Sequence, residues 1–231
     1  MKTISAADQE FVCDINVPCF QALSAEEAEL VRQGKTQVMF RKGENLTKQG
    51  AFSTYVLFVI SGLVKQYIEG DGTRDFNLCI IRPGEFVGLS AAFGRSMFDY
   101  STLALTETQV FLVEKDALIK VAQSNSDFSY RIAKRYGEQN SMLYETIRNL
   151  MYKQTNGRMA DTLLYLQNEN FGGKDVTSLL TRKDIADFAG ISTEGAVKVL
   201  KSFEKDGYIK LEDRHIEILD KNALAEISKR G

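Results

Sequence analysis

Short apolar runs separated by glycines dominate the first half of the chain. The runs occupy residues 38–40, 55–60, 63–68, 76–81, 102–105 and 110–113. They are rich in β-branched and aromatic residues, which is typical of strands, and the glycines between them are typical of turns. Short strands at this regular spacing predict a small β-roll or sandwich. Ser24 and Glu27 have the spacing of a helix-capping box, which predicts a short helix before the strands.

The pattern changes to a helical period near residue 115. From there to residue 152 the chain contains no proline and one glycine, Gly137. Apolar residues three, four or seven positions apart predict one long helix over about residues 127–152. Such a stripe on a helix of roughly 39 Å favours pairing with a second copy of the chain. Packing of the stripe on the chain's own β-roll remains the alternative. The stripe consists of Phe128, Ile132, Tyr136, Leu143, Ile147 and Leu150.

The segment 181–200, TRKDIADFAGISTEGAVKVL, predicts two short helices joined by a tight turn. Thr181 is placed to cap the first helix with help from Asp184, and Ser192 is placed to cap the second. Gly190 stands at the turn, where a residue that tolerates positive φ is needed. Alternating apolar residues over 208–211 and 215–218 flank a polar turn and predict a β-hairpin. Together these elements are typical of a winged helix-turn-helix.

In a winged helix-turn-helix the second helix enters the major groove of DNA, and its first residues meet base edges. The outward positions here are Thr193, Glu194, Val197 and Lys198, which we expect to read bases. Arg182, Lys183 and Lys201 are better suited to phosphate contacts, which position the protein without reading sequence. Solvated helix charges on a domain that binds no DNA are the alternative interpretation.

Composition narrows the class of protein but does not by itself suggest nucleic acid. The chain is 44% hydrophobic and 26% charged, with a net charge of −2, so the DNA-binding prediction rests on pattern alone. There is no signal-peptide pattern, and the longest apolar run is too short to span a membrane, which predicts a cytoplasmic protein with no membrane contact. Catalytic motifs are missing too, so we expect no enzyme; a ligand-binding regulatory module without DNA binding is the alternative function.

Three features in order along the chain resemble the Crp/Fnr family of transcription regulators. They are ISG at 60–62 with RPGEFVG at 82–88, the long helix, and ISTE at 191–194 leading to Lys198. The resemblance covers the chain from about residue 20 onward. It implies an α+β fold with a jelly-roll-like β-roll over 1–125, a dimerisation helix over 126–152 and a winged-helix domain over 153–231. It also implies a homodimer on a two-fold symmetric double-stranded DNA operator, control by a small-molecule effector, and contact with RNA polymerase.

The reading helix departs from the family at two positions. Members carry Glu where this chain has Glu194, but usually Arg where it has Lys198, and many carry Arg where it has Thr193. Lysine keeps the charge but lacks the bidentate fork of arginine. The resemblance therefore implies weaker or altered base reading.

The effector is not given by the resemblance. Members that bind cyclic nucleotides carry Gly-Glu and Arg-Ser pairs, where this chain has Gly88-Leu89 and Tyr100-Ser101, and adenine contacts would fall on Leu143 and Tyr144. Because the arginine is missing, cyclic AMP is not expected. An apolar ligand, no ligand, and plain core packing all remain open. The pocket candidates are Phe86, Gly88, Leu89, Tyr100, Ser101, Leu143 and Tyr144.

Metal cofactors are not expected either. Iron–sulfur members carry four cysteines, whereas this chain has Cys13, Cys19 and Cys79, with Phe111 near the family's barrel position. A redox pair of Cys13 and Cys19 stays open, and Cys79 is typical of a buried apolar cysteine. Haem sensing usually needs a histidine, but the one histidine, His215, falls on the predicted wing.

Overall fold

The computed structural model describes residues 1–5, 8, 20–70, 72, 74–167 and 171–231. The chain divides into two compact units, one formed by Met1–Glu69 and Cys79–Ser141, the other by Gly70–Leu78 and Met142–Gly231. Boundaries drawn along the sequence at residues 125 and 152 follow helix ends, whereas this division follows packing. None of the helices described combines the length and the apolar character that crossing a membrane requires.

Two antiparallel sheets form the β-roll. One has the strand order β1-β2-β9-β4-β7 and the other β3-β8-β5-β6. Leu57, Val59, Val64 and Val110 belong to a core cluster that includes strands of both sheets. The strands are β1 (Lys2–Ile4), β2 (Lys35–Phe40), β3 (Asn45–Thr47), β4 (Tyr55–Ser61), β5 (Val64–Ile68), β6 (Phe76–Ile81), β7 (Phe86–Val87), β8 (Ser101–Ala104) and β9 (Thr108–Glu114). The predicted β-roll is therefore confirmed.

A second core cluster lies where helices cover the β-roll. The ring centroid of Phe20 lies 5.7 Å from those of Phe58 and Phe86 and 6.1 Å from that of Phe128. Phe58 and Phe86 are 5.1 Å apart, and all four contacts are edge-on or tilted. Such offset aromatic contacts are favourable beyond their burial. The helices of this unit are α1 (Ala25–Gln33), α2 (Leu89–Phe93), α3 (Lys115–Ser124) and the first part of α4 (Ser126–Tyr152). The capping box of Ser24 and Glu27 opens α1 as predicted.

The long helix α4 uses its apolar stripe in two different ways. Phe128 and Ile132 are buried in the phenylalanine-rich core, and Tyr136 packs against it. Further along, Leu143 is 41% exposed, Ile147 51% and Leu150 37%. The first half of the helix therefore packs on its own β-roll, as one alternative expects, whereas pairing of the second half with a second copy stays a prediction.

The second unit contains the predicted winged helix-turn-helix. Its helices are α5 (Thr155–Leu166), α6 (Arg182–Ala189), α7 (Thr193–Lys205) and α8 (Lys221–Arg230), and its hairpin is β10 (Ile209–Glu212) with β11 (His215–Ile218). The hairpin is antiparallel, with Ile209 opposite Ile218 and Leu211 opposite Ile216. Ile185, Ala186, Leu200, Ile209 and Ile216 are at most 1% exposed, so both helices and the hairpin share one core.

Candidate nucleic-acid interface and effector pocket

Local hydrogen bonds hold the two helices of the helix-turn-helix at their starting points. The Asp184 amide donates to Thr181 Oγ1 at 3.0 Å, and the Thr181 amide donates back to Asp184 Oδ2 at 2.8 Å. Ser192 caps α7 by accepting from the Gly195 amide at 3.0 Å. Gly190 between the helices has φ +62° and ends α6 in the left-handed conformation. All of these roles were predicted from the sequence.

Helix α7 has one buried face and one exposed face. The buried face consists of Ala196, Val199, Leu200 and Phe203, each at most 8% exposed. On the other face Thr193, Glu194, Lys198 and Lys201 are exposed, and Val197 is half-buried. Because the exposed polar groups cluster from the first turn onward, the helix presents hydrogen-bonding side chains where a major-groove helix meets base edges.

Arg182 is tied to the wing. Its Nη2 donates to the carbonyl oxygen of Asp213, in the hairpin turn, at 2.6 Å. Burial lowers the pKa of this guanidinium from its ordinary value, and Nη1 is buried without a hydrogen-bond partner among the described residues. The arginine therefore orients the wing as well as carrying charge.

Lys183 shares its charge with neighbouring carboxylates. Its Nζ lies 2.7 Å from Asp187 Oδ2 and 3.9 Å from Asp75 Oδ2. The hydrogen bond to Asp187 raises the pKa of Lys183. Part of the positive charge predicted for phosphate is therefore already balanced inside the protein, which leaves Lys198 and Lys201 as the more open cations of this group.

His215 anchors the wing from its other strand. Its Nδ1 lies 2.7 Å from Asp175 Oδ2. The Ile216 amide donates to Thr177 Oγ1 at 3.1 Å, and that hydroxyl donates to Asp175 Oδ1 at 2.7 Å. The lone histidine is therefore a wing residue, as predicted.

In the β-roll, the chain's own side chains occupy the predicted effector pocket. The Gly88 amide donates to the Tyr100 hydroxyl at 2.9 Å. A Cβ on Gly88 would lie 2.5 Å from Cε1 of Phe98, so this ring packs directly on the glycine. Phe86 and Leu89 are 2% and 3% exposed within the phenylalanine-rich core, as the core-packing alternative expects.

Ser101, the second half of the Tyr100-Ser101 pair, is bonded to a carboxylate. Its hydroxyl donates to Glu69 Oε1 and accepts from the Gln49 amide at 2.8 Å. Lys48 Nζ lies 2.7 Å from the same Glu69 oxygen. The hydrogen bonds from Lys48 and Ser101 lower the pKa of Glu69. A negatively charged carboxylate therefore already lies against the Ser101 hydroxyl. An anionic phosphate brought to Ser101 would meet this carboxylate.

Two further groups near the pocket are held in their neutral forms. Burial raises the pKa of the Cys79 thiol to about 12, and Cys79 Sγ donates to Gln66 Oε1 at 3.4 Å. Burial also raises the pKa of Tyr136 to about 12, and its hydroxyl is buried with no partner among the described residues. A protonated buried thiol is a poor metal ligand and a poor nucleophile. Cys13 and Cys19 lie outside the described residues.

Leu143 and Tyr144, the remaining pocket candidates, belong to the second unit. They are 41% and 70% exposed on α4, so their surfaces are accessible in a single chain.

Sequence reasoning missed the residues that close the β-roll pocket. Glu69 lies 32 positions from Ser101, and Phe98 ten from Gly88, so no local pattern connects them. One signal was present, since a tyrosine in place of arginine beside Ser101 supplies a hydroxyl that can accept from a backbone amide.

Comparison with known families agrees with this geometry. A family described as "Crp-like helix-turn-helix domain" matches residues 157–227. A second family, described as "Cyclic nucleotide-binding domain", matches residues 37–125. Together the two families account for more than half of the chain.

Individual proteins are similar over nearly the whole chain. The CRP-like cAMP-activated global transcriptional regulator of Mycobacterium tuberculosis is 25% identical over 89% of this chain and 94% of its own length. The anaerobic regulatory protein of Bacillus subtilis is 24% identical over 86% of each. Among solved structures, a Crp/Fnr-family regulator from Eubacterium rectale superposes with a TM-score of 0.77 at 20% identity, covering 92% of this chain and 98% of its own. At this identity, the structural similarity shows a shared fold and nothing more.

Proposed function

The chain belongs to the Crp/Fnr family of DNA-binding transcription regulators, and from this premise we propose that it acts as a homodimer on a two-fold symmetric operator. The observation that carries the proposal is helix α7, which buries one face and exposes Thr193, Glu194, Lys198 and Lys201 on the other. A helix at this place in a winged helix-turn-helix is the element that enters the major groove.

The exposed half of the α4 stripe supports the homodimer. Leu143, Ile147 and Met151 follow one another at spacings of four and are 41%, 51% and 68% exposed. Large apolar side chains at heptad-like spacing on an uncovered helix face gain free energy by pairing with a second helix. Two α4 helices paired in this way would present two α7 helices to a symmetric site. In this arrangement Tyr144 also lies on a surface available to the partner.

Different residues of the proposed interface have different tasks. Glu194 accepts a hydrogen bond from a cytosine amino group, Lys198 donates to guanine, and Thr193 and Val197 contact base edges beside them. Arg182, Lys183 and Lys201 contact phosphates, with Arg182 also holding the wing through the Asp213 carbonyl. The bound dimer acts on the chromosome in the cytoplasm and contacts RNA polymerase there, as the family resemblance implies.

The proposed effector is not a cyclic nucleotide. The Gly88 amide already donates to the Tyr100 hydroxyl, and the Ser101 hydroxyl already donates to Glu69. A cyclic phosphate would have to displace both and would gain no arginine in their place. The effector pocket proposed for the β-roll instead takes a small, uncharged molecule beside Tyr100 and Phe86, or none at all.

Selection of binding sites from random duplex DNA tests the proposal. We expect the full-length protein to enrich a two-fold symmetric motif, and Glu194→Ala to relax selection at one base pair in each half-site. A lost direct base contact costs about 1–3 kcal/mol of discrimination, or roughly five- to a hundred-and-fiftyfold between the right and wrong base. Glu26→Ala, an exposed glutamate on α1 in the other unit, is the matched control and should leave the motif unchanged.

Two outcomes would contradict the proposal. An asymmetric motif would remove the homodimer on a symmetric operator, and a Glu194→Ala motif identical to the wild type would remove Glu194 from base reading. If the wild type enriches nothing alone, the selection is repeated with cell extract to supply an effector, and a motif that is still absent counts against sequence-specific binding.

A further inference from the structure

Helix α8 runs from the base of the wing to the junction between α4 and α5. At its start, the amides of Leu219 and Asp220 both donate to the carbonyl oxygen of Tyr208, just before β10, at 2.9 and 3.1 Å. At its end, the Gly231 carbonyl oxygen accepts from the Gln154 amide at 2.5 Å. Ten residues of helix, roughly 15 Å long, therefore connect the wing with the place where α4 passes into α5.

The junction between α4 and α5 is short. Helix α4 ends at Tyr152 and α5 begins at Thr155, so the junction consists of Lys153 and Gln154. The backbone of Gln154 is extended, with φ −74° and ψ 171°. Residues at the ends of helices are the ones that absorb a change in the angle between two elements. The angle between α4 and α5 therefore depends on the other contacts that hold the two helices.

Three side chains join the junction to α5 and α8. Lys153 Nζ lies 2.6 Å from Asp161 Oδ2 and 3.1 Å from Ser228 Oγ. The Ser228 hydroxyl donates to Asp161 Oδ1 at 2.5 Å, which closes the network. The side chains of Lys153 and Asp161 are only 21% and 26% exposed. Hydrogen bonds between charged groups are stronger than those between neutral groups, so this network restrains the end of α4.

The backbones of α5 and the end of α8 touch. A Cβ on Gly231 would lie 2.7 Å from Gly157 Cα, and a Cβ on Gly157 would lie 2.9 Å from Gly231 Cα. Leu224, in the middle of α8, is fully buried. Helix α8 is therefore packed closely on α5, and neither glycine position has room for a side chain.

Helix α4 also contacts the helix-turn-helix directly. A Cβ on Gly190, in the turn between α6 and α7, would lie 2.7 Å from Leu150 Cδ2. The turn, the junction and α8 all belong to the second unit, as does the second half of α4. Within this unit the winged helix-turn-helix is therefore held on α4 at two places, the turn and the junction.

We propose that α8 and the junction form a clasp that sets which separation of two half-sites the protein accepts. The α8 clasp consists of Lys153, Asp161, Ser228 and Gly231. This inference rests on the proposed homodimer, in which two α4 helices pair and each carries one α7. The distance between the two α7 helices then follows from the angle at each junction, and that distance selects the half-site spacing.

The geometry of DNA makes the spacing a sensitive readout. Each base pair added between the half-sites moves them about 3.4 Å apart and turns them about 35° around the helix axis. A junction fixed by the α8 clasp cannot follow such a change without breaking hydrogen bonds. A loosened junction can follow it, so loss of the clasp should widen the range of accepted separations.

The experiment titrates the full-length protein with duplexes that carry the selected half-sites at the selected separation, or one or two base pairs closer or farther apart. We expect the wild type to prefer the selected separation about tenfold or more. Ser228→Ala and Asp161→Asn should each reduce this preference about fivefold, because each removes a hydrogen bond of the clasp. Their affinity at the selected separation should change only about twofold. Ser228→Thr keeps the hydroxyl and should keep the preference.

Ser178→Ala is the matched control. Ser178 is a half-buried serine of the same unit, and its hydroxyl donates to the Asp175 carbonyl at 2.8 Å, away from the junction. A second measurement needs no DNA, since the Gln154 amide donates to the Gly231 carbonyl. Hydrogen exchange of this amide should be about fivefold faster in Ser228→Ala and unchanged in Ser178→Ala.

Two results would overturn the α8 clasp. One is an equal loss of affinity at every separation in Ser228→Ala and Asp161→Asn, because α8 would then only stabilise the fold. The other is unchanged exchange at Gln154 in Ser228→Ala. If the wild type enriches no symmetric motif, the proposed function fails and the role in spacing fails with it. The exchange measurement distinguishes that failure from a junction that was never held.

Discussion

The effector positions of the β-roll and two buried side chains of the second unit differ in whether their polar groups are hydrogen-bonded. In the β-roll, the groups that the family resemblance assigns to an effector are bonded to one another, Gly88 to Tyr100 and Ser101 to Glu69. In the second unit, Asn77 Oδ1 and Arg158 Nε are buried without a hydrogen-bond partner among the described residues. A site whose polar groups are already hydrogen-bonded gains little from a ligand.

This difference shows that the fold of a domain does not determine which ligand it binds. The β-roll matches a family described by cyclic-nucleotide binding. Its own side chains, however, already form hydrogen bonds at the positions that such a ligand would use. The same fold can host different sites, because a site depends on particular side chains and not on the arrangement of strands. In the β-roll of this chain, the fold is therefore a weaker guide to the effector than the hydrogen bonds are.

The largest expected effect comes from adding a methyl group to the closed pocket. Gly88→Ala would place a Cβ 2.5 Å from Phe98, on a residue whose φ is +82°. The strained backbone costs about 1–2 kcal/mol, and the overpacking adds about 1–3 kcal/mol. We expect the free energy of unfolding to fall by about 2–5 kcal/mol, measured from the urea midpoint at constant protein concentration.

Gly43→Ala is the matched control for Gly88→Ala. Gly43 has a similar φ of +87°, but a Cβ there would meet nothing within 4 Å. It should lose only the backbone part, about 1–2 kcal/mol. Equal losses at the two glycines would mean that the pocket around Gly88 has room to spare, and the contrast between a filled and an open site would then fail.

A smaller effect comes from removing one hydroxyl at each of two tyrosines in the β-roll. Tyr100→Phe leaves the Gly88 amide without its acceptor and should cost about 2 kcal/mol in the free energy of unfolding. Tyr136→Phe removes a hydroxyl that is buried and has no partner among the described residues, so it should be neutral or stabilise by up to about 1 kcal/mol.

The two tyrosine variants serve as controls for each other, because the chemical change is identical. Urea unfolding of both, under one set of conditions, measures the difference. A loss of stability in Tyr136→Phe as large as that in Tyr100→Phe would show that the Tyr136 hydroxyl is satisfied, for example by a bound water.

Local sequence patterns predicted the winged helix-turn-helix well. The caps at Thr181 and Ser192 and the turn at Gly190 each depend on residues within a few positions of one another. The hairpin of β10 and β11 also follows from a local alternation of apolar and polar residues. Such features are encoded by neighbours in sequence, so a single chain suffices to find them.

Contacts distant in sequence could not be predicted. The stripe on α4 looks uniform along the chain, yet Ile132 is buried while Ile147 is half exposed, because the β-roll covers only part of the helix. The bond between Ser101 and Glu69, and that between Asn77 and Asp184, join residues 32 and 107 positions apart. Tertiary packing decides these pairs, and periodicity contains no information about them.

The smallest expected effect concerns pH and the base of the wing. Burial alone would raise the pKa of Asp175, but hydrogen bonds from Thr177 and His215 outweigh burial and hold it below its ordinary value. A carboxyl group with a lowered pKa in the folded state stabilises the fold above the unfolded pKa of about 4, and this contribution disappears as the pH falls through the folded pKa. Because the Asp175 side chain is 36% exposed, solvent screens the pair and the contribution stays below about 1 kcal/mol.

Unfolding of the wild type and Asp175→Asn between pH 7 and pH 3 measures that contribution. The wild type should be the more stable protein at neutral pH, and the difference should shrink toward zero below pH 4, since the folded state then loses its charged carboxylate. A difference that stays constant, or grows in acid, would mean that the charge of Asp175 does not hold His215 and the wing. In that case Arg182 would be the main anchor of the wing, through its bond to the Asp213 carbonyl. The placement of the wing would then depend on an arginine whose charge does not change with pH.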